Sequence, residues 1–158
     1  MTSATQLSVG EHAEFSKTIS EADLVLFAGL TGDFDQVHVN EEFARGTPFG
    51  SRIVHGALVM GLLSTTASMM AGRSRARGAN GTPVSIGYDR IRFIKPVYIG
   101  DTLTARYQVE EVDDAAGRTR SKVEVVNQRK DVCLAGTHLM KWVVSDDDGN
   151  AGKPGKAA

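Results

Sequence analysis

Cysteine is nearly absent from this chain, with Cys133 the only one among 158 residues. A single thiol excludes an intrachain disulfide framework and a cysteine-built metal cluster, and it fits a reducing, cytoplasmic setting. A dominant charge is lacking too. The 18 Lys and Arg against 19 Asp and Glu leave a net charge of −1, so bulk electrostatics predicts no nucleic-acid partner and no anionic membrane surface. Residues 1–14 hold no apolar run of the secretory type, and no leader is expected there. Formal charge is also missing from residues 53–72, a stretch long enough to cross a bilayer. His55, Ser64, Thr65, Thr66, Ser68 and three glycines interrupt it, and no second span accompanies it. A buried helix is the better reading.

What is present suits one globular domain. The apolar fraction of 41% and the length are enough for a single core and too little for two. Residues 14–19 form a first strand or an extended lead-in. Ser20 has the chemistry of a helix N-cap, with Glu21 and Asp23 in the first turn and Leu24, Val25, Phe27, Ala28 and Leu30 as the apolar face. Gly32 stops that helix. Asn40 caps a second short helix over residues 41–45, ended by Gly46 and Pro48. Between them, residues 33–39 follow neither the helical nor the strand period and are predicted to be a structured loop.

A long central helix is predicted over residues 54–71, terminated by Gly72, and residues 73–83 form a basic, turn-rich loop. Beyond Pro83 the period changes to two. Strands are predicted over residues 84–93, 102–112, 118–127 and 132–144, with turns at Gly100-Asp101, residues 113–117 and residues 128–131. Helices followed by consecutive antiparallel strands indicate an α+β domain in which a curved sheet wraps one apolar helix. Residues 1–13 are a polar lead-in, 14–145 the domain, and 146–158 a Gly- and Lys-rich tail expected to be disordered. Leu58, Val59, Met60, Leu62, Leu63, Met69 and Met70 would anchor the helix, each contributing about 1.5–3 kcal/mol when fully buried. A helix this apolar on nearly every side needs more cover than one small sheet, which points to a second subunit.

The chemistry-bearing stretch is Thr31-Gly32-Asp33-Phe34-Asp35-Gln36-Val37-His38, followed by Arg52-Ile53-Val54-His55-Gly56 at the head of the long helix. A carboxylate and an imidazole can move protons, and amides at a helix start can hold developing negative charge. Together they suit addition of water to, or its removal from, a carbon next to an activated carbonyl. Fully extended, the loop would hold Asp33 and His38 about 17 Å apart, so cooperation requires it to curl, and Gly32 and Asp35 supply turn chemistry.

These residues resemble the MaoC-like dehydratases, in particular the (R)-specific enoyl-CoA hydratases. That signature is a helix ending in a small residue and Gly-Asp, then a variable residue, Asn-Pro, an aliphatic residue and His. Gly32, Asp33, Val37 and His38 match it, while Asp35 stands where Asn is usual and Gln36 where Pro is usual. Arg92-Phe93-Ile94-Lys95-Pro96-Val97, then Gly100-Asp101, resembles the family's strand and turn. The likeness runs from about Phe15 to Val144. It implies a single hot-dog domain and a homodimer or higher assembly. It also implies an acyl-CoA thioester as substrate, with no cofactor beyond it, and reversible hydration of a trans-2-enoyl-CoA to an (R)-3-hydroxyacyl-CoA.

Within that resemblance, Asp33 and His38 would grip one water, and which is base and which is acid stays open. Gly56 N–H would be the main oxyanion donor, glycine allowing close approach; the competing reading is a glycine that only permits close packing. Asp35 either disfavours ionisation of its neighbour or simply shapes the turn, and turn chemistry is preferred. His55 orients the loop, caps the helix or lies against substrate. Ser64, a little over two turns beyond Gly56, either bonds near the carboxylate or substrate or bonds back to its own helix. Arg73, Arg75 and Arg77 would suit the phosphates of coenzyme A, with a solvated loop as the plain alternative. No metal is expected, because the spacing of Asp33, His38 and His55 matches no zinc pattern. Three other functions compete: an acyl-CoA thioesterase, a non-catalytic acyl-CoA binding protein, and a 3-hydroxyacyl-carrier-protein dehydratase. Thioesterases of this fold usually place a carboxylate on the long helix, and residues 53–72 have none.

Overall fold

Alternation of apolar side chains in the C-terminal half builds the sheet, and the computed structural model describes it within residues 3–144. The tail expected over residues 146–158 lies outside them. The elements run β1 His12–Thr18, α1 Glu21–Thr31, α2 Gln36–Val39, α3 Glu41–Arg45 and α4 Gly56–Ala76. Then follow β2 Thr82–Phe93, β3 Thr102–Asp113, β4 Arg118–Val126 and β5 Val132–Val143. All pairings are antiparallel, in the order β1-β3-β4-β5-β2, which leaves β1 and β2 at the edges. One face of the sheet presents Leu103, Ala105, Tyr107 and Val109 from β3, Val123 and Val125 from β4, and Leu134, Met140 and Trp142 from β5. These pack with Val59, Leu62, Leu63, Ala67, Met70 and Ala71 of α4 in one core. A five-stranded antiparallel sheet around one long helix is the hot-dog arrangement. Among the described residues no helix is long and apolar enough to cross a membrane.

The caps of α1 and α3 stand where the sequence puts them. Ser20 and Asp23 form a reciprocal capping box, Gly32 ends α1 at φ +79°, and Asn40 Oδ1 accepts from Phe43 N–H at 3.1 Å. Two predictions need correcting. The central helix begins at Gly56, not Val54, because His55 has an extended ψ of 128° and Val54 before it is held to the Val97 carbonyl at 2.8 Å. It also runs through Gly72 to Ala76, because Ser74 is buried and ties that extra turn down. Ser74 Oγ donates to the Thr5 carbonyl and accepts the Trp142 Nε1–H at 2.8 Å. Among the predicted anchors, Val59, Leu62, Leu63 and Met70 are buried and Leu58 and Met60 pack partly against the core, whereas Met69 is 43% exposed. The lead-in is also packed. Leu7 joins the core, and Asp114 accepts from Ser3 Oγ and Thr5 Oγ1 at 2.7 and 3.0 Å.

Candidate active site

The curl that Asp33 and His38 require is supplied by α2, a single turn the sequence does not predict. Asp35 caps it, its Oδ1 accepting the Val37 N–H at 2.9 Å, so Asp35 takes the turn-shaping role. The turn returns His38 toward Asp33, and ligand atoms of Asp33, His38 and His55 lie within 4.8 Å of one another. The backbone of Ile53, just before α4, clamps this turn. Its N–H donates to the Val37 carbonyl at 3.2 Å, and its carbonyl lies 2.7 Å from His38 Nδ1. A carbonyl only accepts, so Nδ1 carries the proton and a neutral His38 keeps its lone pair on Nε2. The same logic fixes His55, whose Nε2–H donates to the Asp33 main-chain carbonyl at 3.0 Å. The two imidazoles stack, centroids 3.9 Å apart at 29°, with Phe27 at 4.9 Å from the His55 ring. Asp33 is exposed, His38 half-buried and His55 buried.

Beside them a cavity of about 430 Å³ is lined by His38, Ile53, Gly56, Ala57, Phe93 and Pro96, among others. Gly56 is the first residue of α4, so its N–H has no acceptor within the helix. A Cβ built there would come within 2.8 Å of the Phe93 ring. The close-packing role of Gly56 is therefore present in this chain, and the ring that occupies the space is itself 60% exposed. Asp33, His38 and His55 together supply two imidazoles and one carboxylate, a donor set of the kind that can hold a divalent cation.

Other candidates lie elsewhere. Ser64 is exposed and borders a separate depression of about 80 Å³ with Ser85 and Met140, so the structure does not bring it to the His38 cavity. Arg73 and Arg75 belong to the last turn of α4, not to a loop. At 1.5 Å per residue, Arg73 is about 25 Å along the helix from Gly56. Arg73 and Arg77 pair with Glu11 at 3.3 and 2.7 Å. Burial alone would raise the Glu11 pKa, but hydrogen bonds from Arg77, the Ser8 N–H and Arg73 outweigh it and hold the carboxyl below its usual range. Arg75 is exposed and makes no ion pair among the described residues. Within one chain, none of the three arginines reaches the cavity.

Three features carry weight that the sequence does not announce. Arg52 grips Glu21 with two bonds of 2.8 and 2.7 Å and reaches Glu41 at 3.4 Å, joining α1 and α3 to the lead into α4. Its own hydrogen bonds are the main reason the Glu21 carboxyl sits below its usual range. Phe93 covers Gly56. His138, fully buried, lies 3.0 Å from Tyr107 Oη and 2.7 Å from Ser85 Oγ, and burial pushes its pKa down to about 4. A charged pair 31 residues apart and one histidine in an alternating strand leave no local pattern to find.

Comparison with known proteins agrees with this architecture. Residues 4–132 match the MaoC like domain family. An (R)-specific enoyl-CoA hydratase of Rhodospirillum rubrum is 41% identical over 63% of this chain, a match that spans 64% of that enzyme's length. An (R)-specific enoyl-CoA hydratase of Aeromonas caviae is 34% identical over 88% of this chain and 98% of its own. Among solved structures, the (R)-hydratase from A. caviae involved in PHA biosynthesis superposes with a TM-score of 0.75 at 27% identity. That superposition covers 89% of this chain and all (100%) of the other. The chain therefore belongs to the MaoC-like family, alongside (R)-specific enoyl-CoA hydratases and 3-hydroxyacyl dehydratases.

Proposed function

We propose that this protein catalyses reversible hydration of a trans-2-enoyl-CoA to an (R)-3-hydroxyacyl-CoA. The observation that carries the proposal is the 2.7 Å contact of His38 Nδ1 with the Ile53 carbonyl. With Nδ1–H fixed on the Ile53 carbonyl, Nε2 offers a lone pair in the wall of a cavity that also contains the start of α4. A water held between His38 Nε2 and the Asp33 carboxylate loses a proton to Nε2 as its oxygen bonds to the β-carbon. The displaced electron pair moves to the thioester oxygen, where Gly56 N–H and the helix dipole stabilise the enolate. The imidazolium then returns the same proton to the α-carbon from the same face. Dehydration is the reverse. Substrate entry displaces the exposed Phe93 ring from Gly56.

The departures at Asp35 and Gln36 do not weaken this reading. Asp is as good an N-cap as Asn. Gln36 takes the first position of α2, where proline is favoured but not required. A thioesterase is disfavoured because α4 carries no carboxylate over its whole length. A carrier-protein thioester as substrate would leave the chemistry unchanged. The cytoplasmic location and the homodimer belong to the same proposal.

Crotonyl-CoA tests it. The wild-type protein is expected to bleach enoyl absorbance without releasing free thiol. D33N and H38A should each lower turnover by at least about 10²-fold while the circular dichroism spectrum and acyl-CoA binding persist. Near-normal activity in either variant would sink the mechanism, and ligand binding with no bleaching would make the protein a binding module.

A further inference from the structure

We infer that His55 positions the two reacting side chains and never touches the substrate, an inference that rests on the hydratase reading above. The ring is 1% exposed and sits at the N-cap of α4, yet it makes no capping bond to that helix. Its Nε2–H goes instead to the main chain of Asp33, 22 residues back, at 3.0 Å. This is the shortest hydrogen bond Asp33 makes among the described residues. The other two, Asp33 N–H to Thr31 Oγ1 and Asp35 N–H to Asp33 Oδ1, are both 3.3 Å. The face of the same ring lies 3.9 Å from His38. The stack fixes the plane of the His38 ring and the Ile53 carbonyl fixes which edge carries Nδ1, so the two together hold the Nε2 lone pair in one direction. Because Gly56 is the next residue, one buried residue touches the main chain of Asp33 and the ring of His38 and directly precedes the oxyanion donor.

An apolar ring of similar size would pack here at lower cost, because His55 Nδ1 is buried with no partner. An unsatisfied buried polar atom destabilises the fold that holds it. What histidine supplies and an apolar ring cannot is the Nε2–H that fixes the Asp33 carbonyl. A displacement of about 1 Å at a reacting group costs on the order of 10²-fold in rate, so the loss of that donor falls on turnover and leaves substrate affinity alone.

Two variants separate the ring from the donor. H55F keeps the ring and the stack, and H55Q keeps an N–H of similar reach. With crotonyl-CoA, H55F should lose about 10²-fold in kcat with KM within about threefold of wild type, and H55Q should recover at least about tenfold of that loss. An unchanged kcat in H55F overturns the inference, as does a rise confined to KM, which would mean substrate contact. A loss shared in full by H55Q overturns the donor role. Should H55F fail to fold, the wild-type protein still decides. Long-range ¹⁵N–¹H spectra should show His55 protonated on Nε2 and His38 on Nδ1, and any other tautomer pair overturns the positioning geometry. If wild-type protein leaves crotonyl-CoA untouched while the tautomers are as stated, the hydratase reading falls and the fixed arrangement of Asp33 and His38 stands.

Discussion

Gly56 is where two roles for one missing side chain come apart. A methyl group there meets the Phe93 ring at 2.8 Å, so G56A alone cannot say whether packing or catalysis was lost. Truncating the ring removes the clash but not the methyl group from the path of a thioester oxygen. G56A is expected to lower kcat/KM on the order of 10²-fold, the scale of a lost oxyanion donor, and G56A/F93A should stay within about threefold of that value. Full recovery in the double variant would reduce Gly56 to a spacer. His138 makes a second separable prediction. Its folded pKa of about 4 lies below the ordinary 6.5, so between these values the unfolded chain binds a proton that the folded chain refuses. Stability should be flat above about pH 6.5 and fall as pH drops toward 4.5, by on the order of 2–3 kcal/mol. Urea midpoints at pH 7 and 4.5 measure this drop, and H138F should show a shallower one.

Elements with their own punctuation were legible from the sequence. The Ser20 cap and Gly32 bracket α1, Asn40 opens α3, and the strands show the period of two, broken in β2 by irregularities between Ser85 and Gly87 and between Asp89 and Arg92. What was not legible depended on distant partners. Within residues 33–39 only the Asp35 cap marks α2, and a cap alone does not make a helix of one turn, which Ile53 clamps through Val37 and His38. Nor does anything local carry α4 past Gly72, since the bond from Ser74 to Thr5 spans 69 residues. The site divides the same way. The Asp33–His38 pair shows in its spacing, whereas Arg52, Phe93 and the stacking of His55 depend on contacts made only in three dimensions. If Gly72 is an ordinary helical residue, it carries the usual interior penalty of glycine. Its φ is not positive, and an added Cβ would meet only the Arg75 Nη2 at 4.0 Å. G72A should therefore stabilise the fold by about 0.5–1 kcal/mol, read as a rise of about 1–4 °C in the thermal midpoint. A fall would mean that the helix is strained at that point.

Taken as one body, the chain has an uncovered edge on β2, the strand whose last residue, Phe93, lines the site. Among the described residues strand β2 pairs only with β5, so its other edge has no strand beside it, and Val84 and Ile86 on it are 38% and 47% exposed. Met69 and the outward Ser64 of α4 add to the uncovered surface. An open edge with exposed β-branched residues invites pairing with another strand. A second copy of this chain, placed edge to edge, would cover it and bring its own side chains toward the uncovered face of α4. That would also give Ser64 and Arg75, whose side chains make no hydrogen bond or ion pair among the described residues, a neighbour to meet. A lysine at the centre of that edge should oppose the pairing by placing like charges together and leaving them poorly solvated. Sedimentation velocity is therefore expected to show two chains per particle for the wild-type protein and a shift toward one for I86K, with the far-ultraviolet spectrum retained. Hydration of crotonyl-CoA should fall in step with the dimer fraction and recover as protein concentration rises. A wild-type particle of one chain, active at any dilution, would show instead that a single hot-dog unit completes its own site.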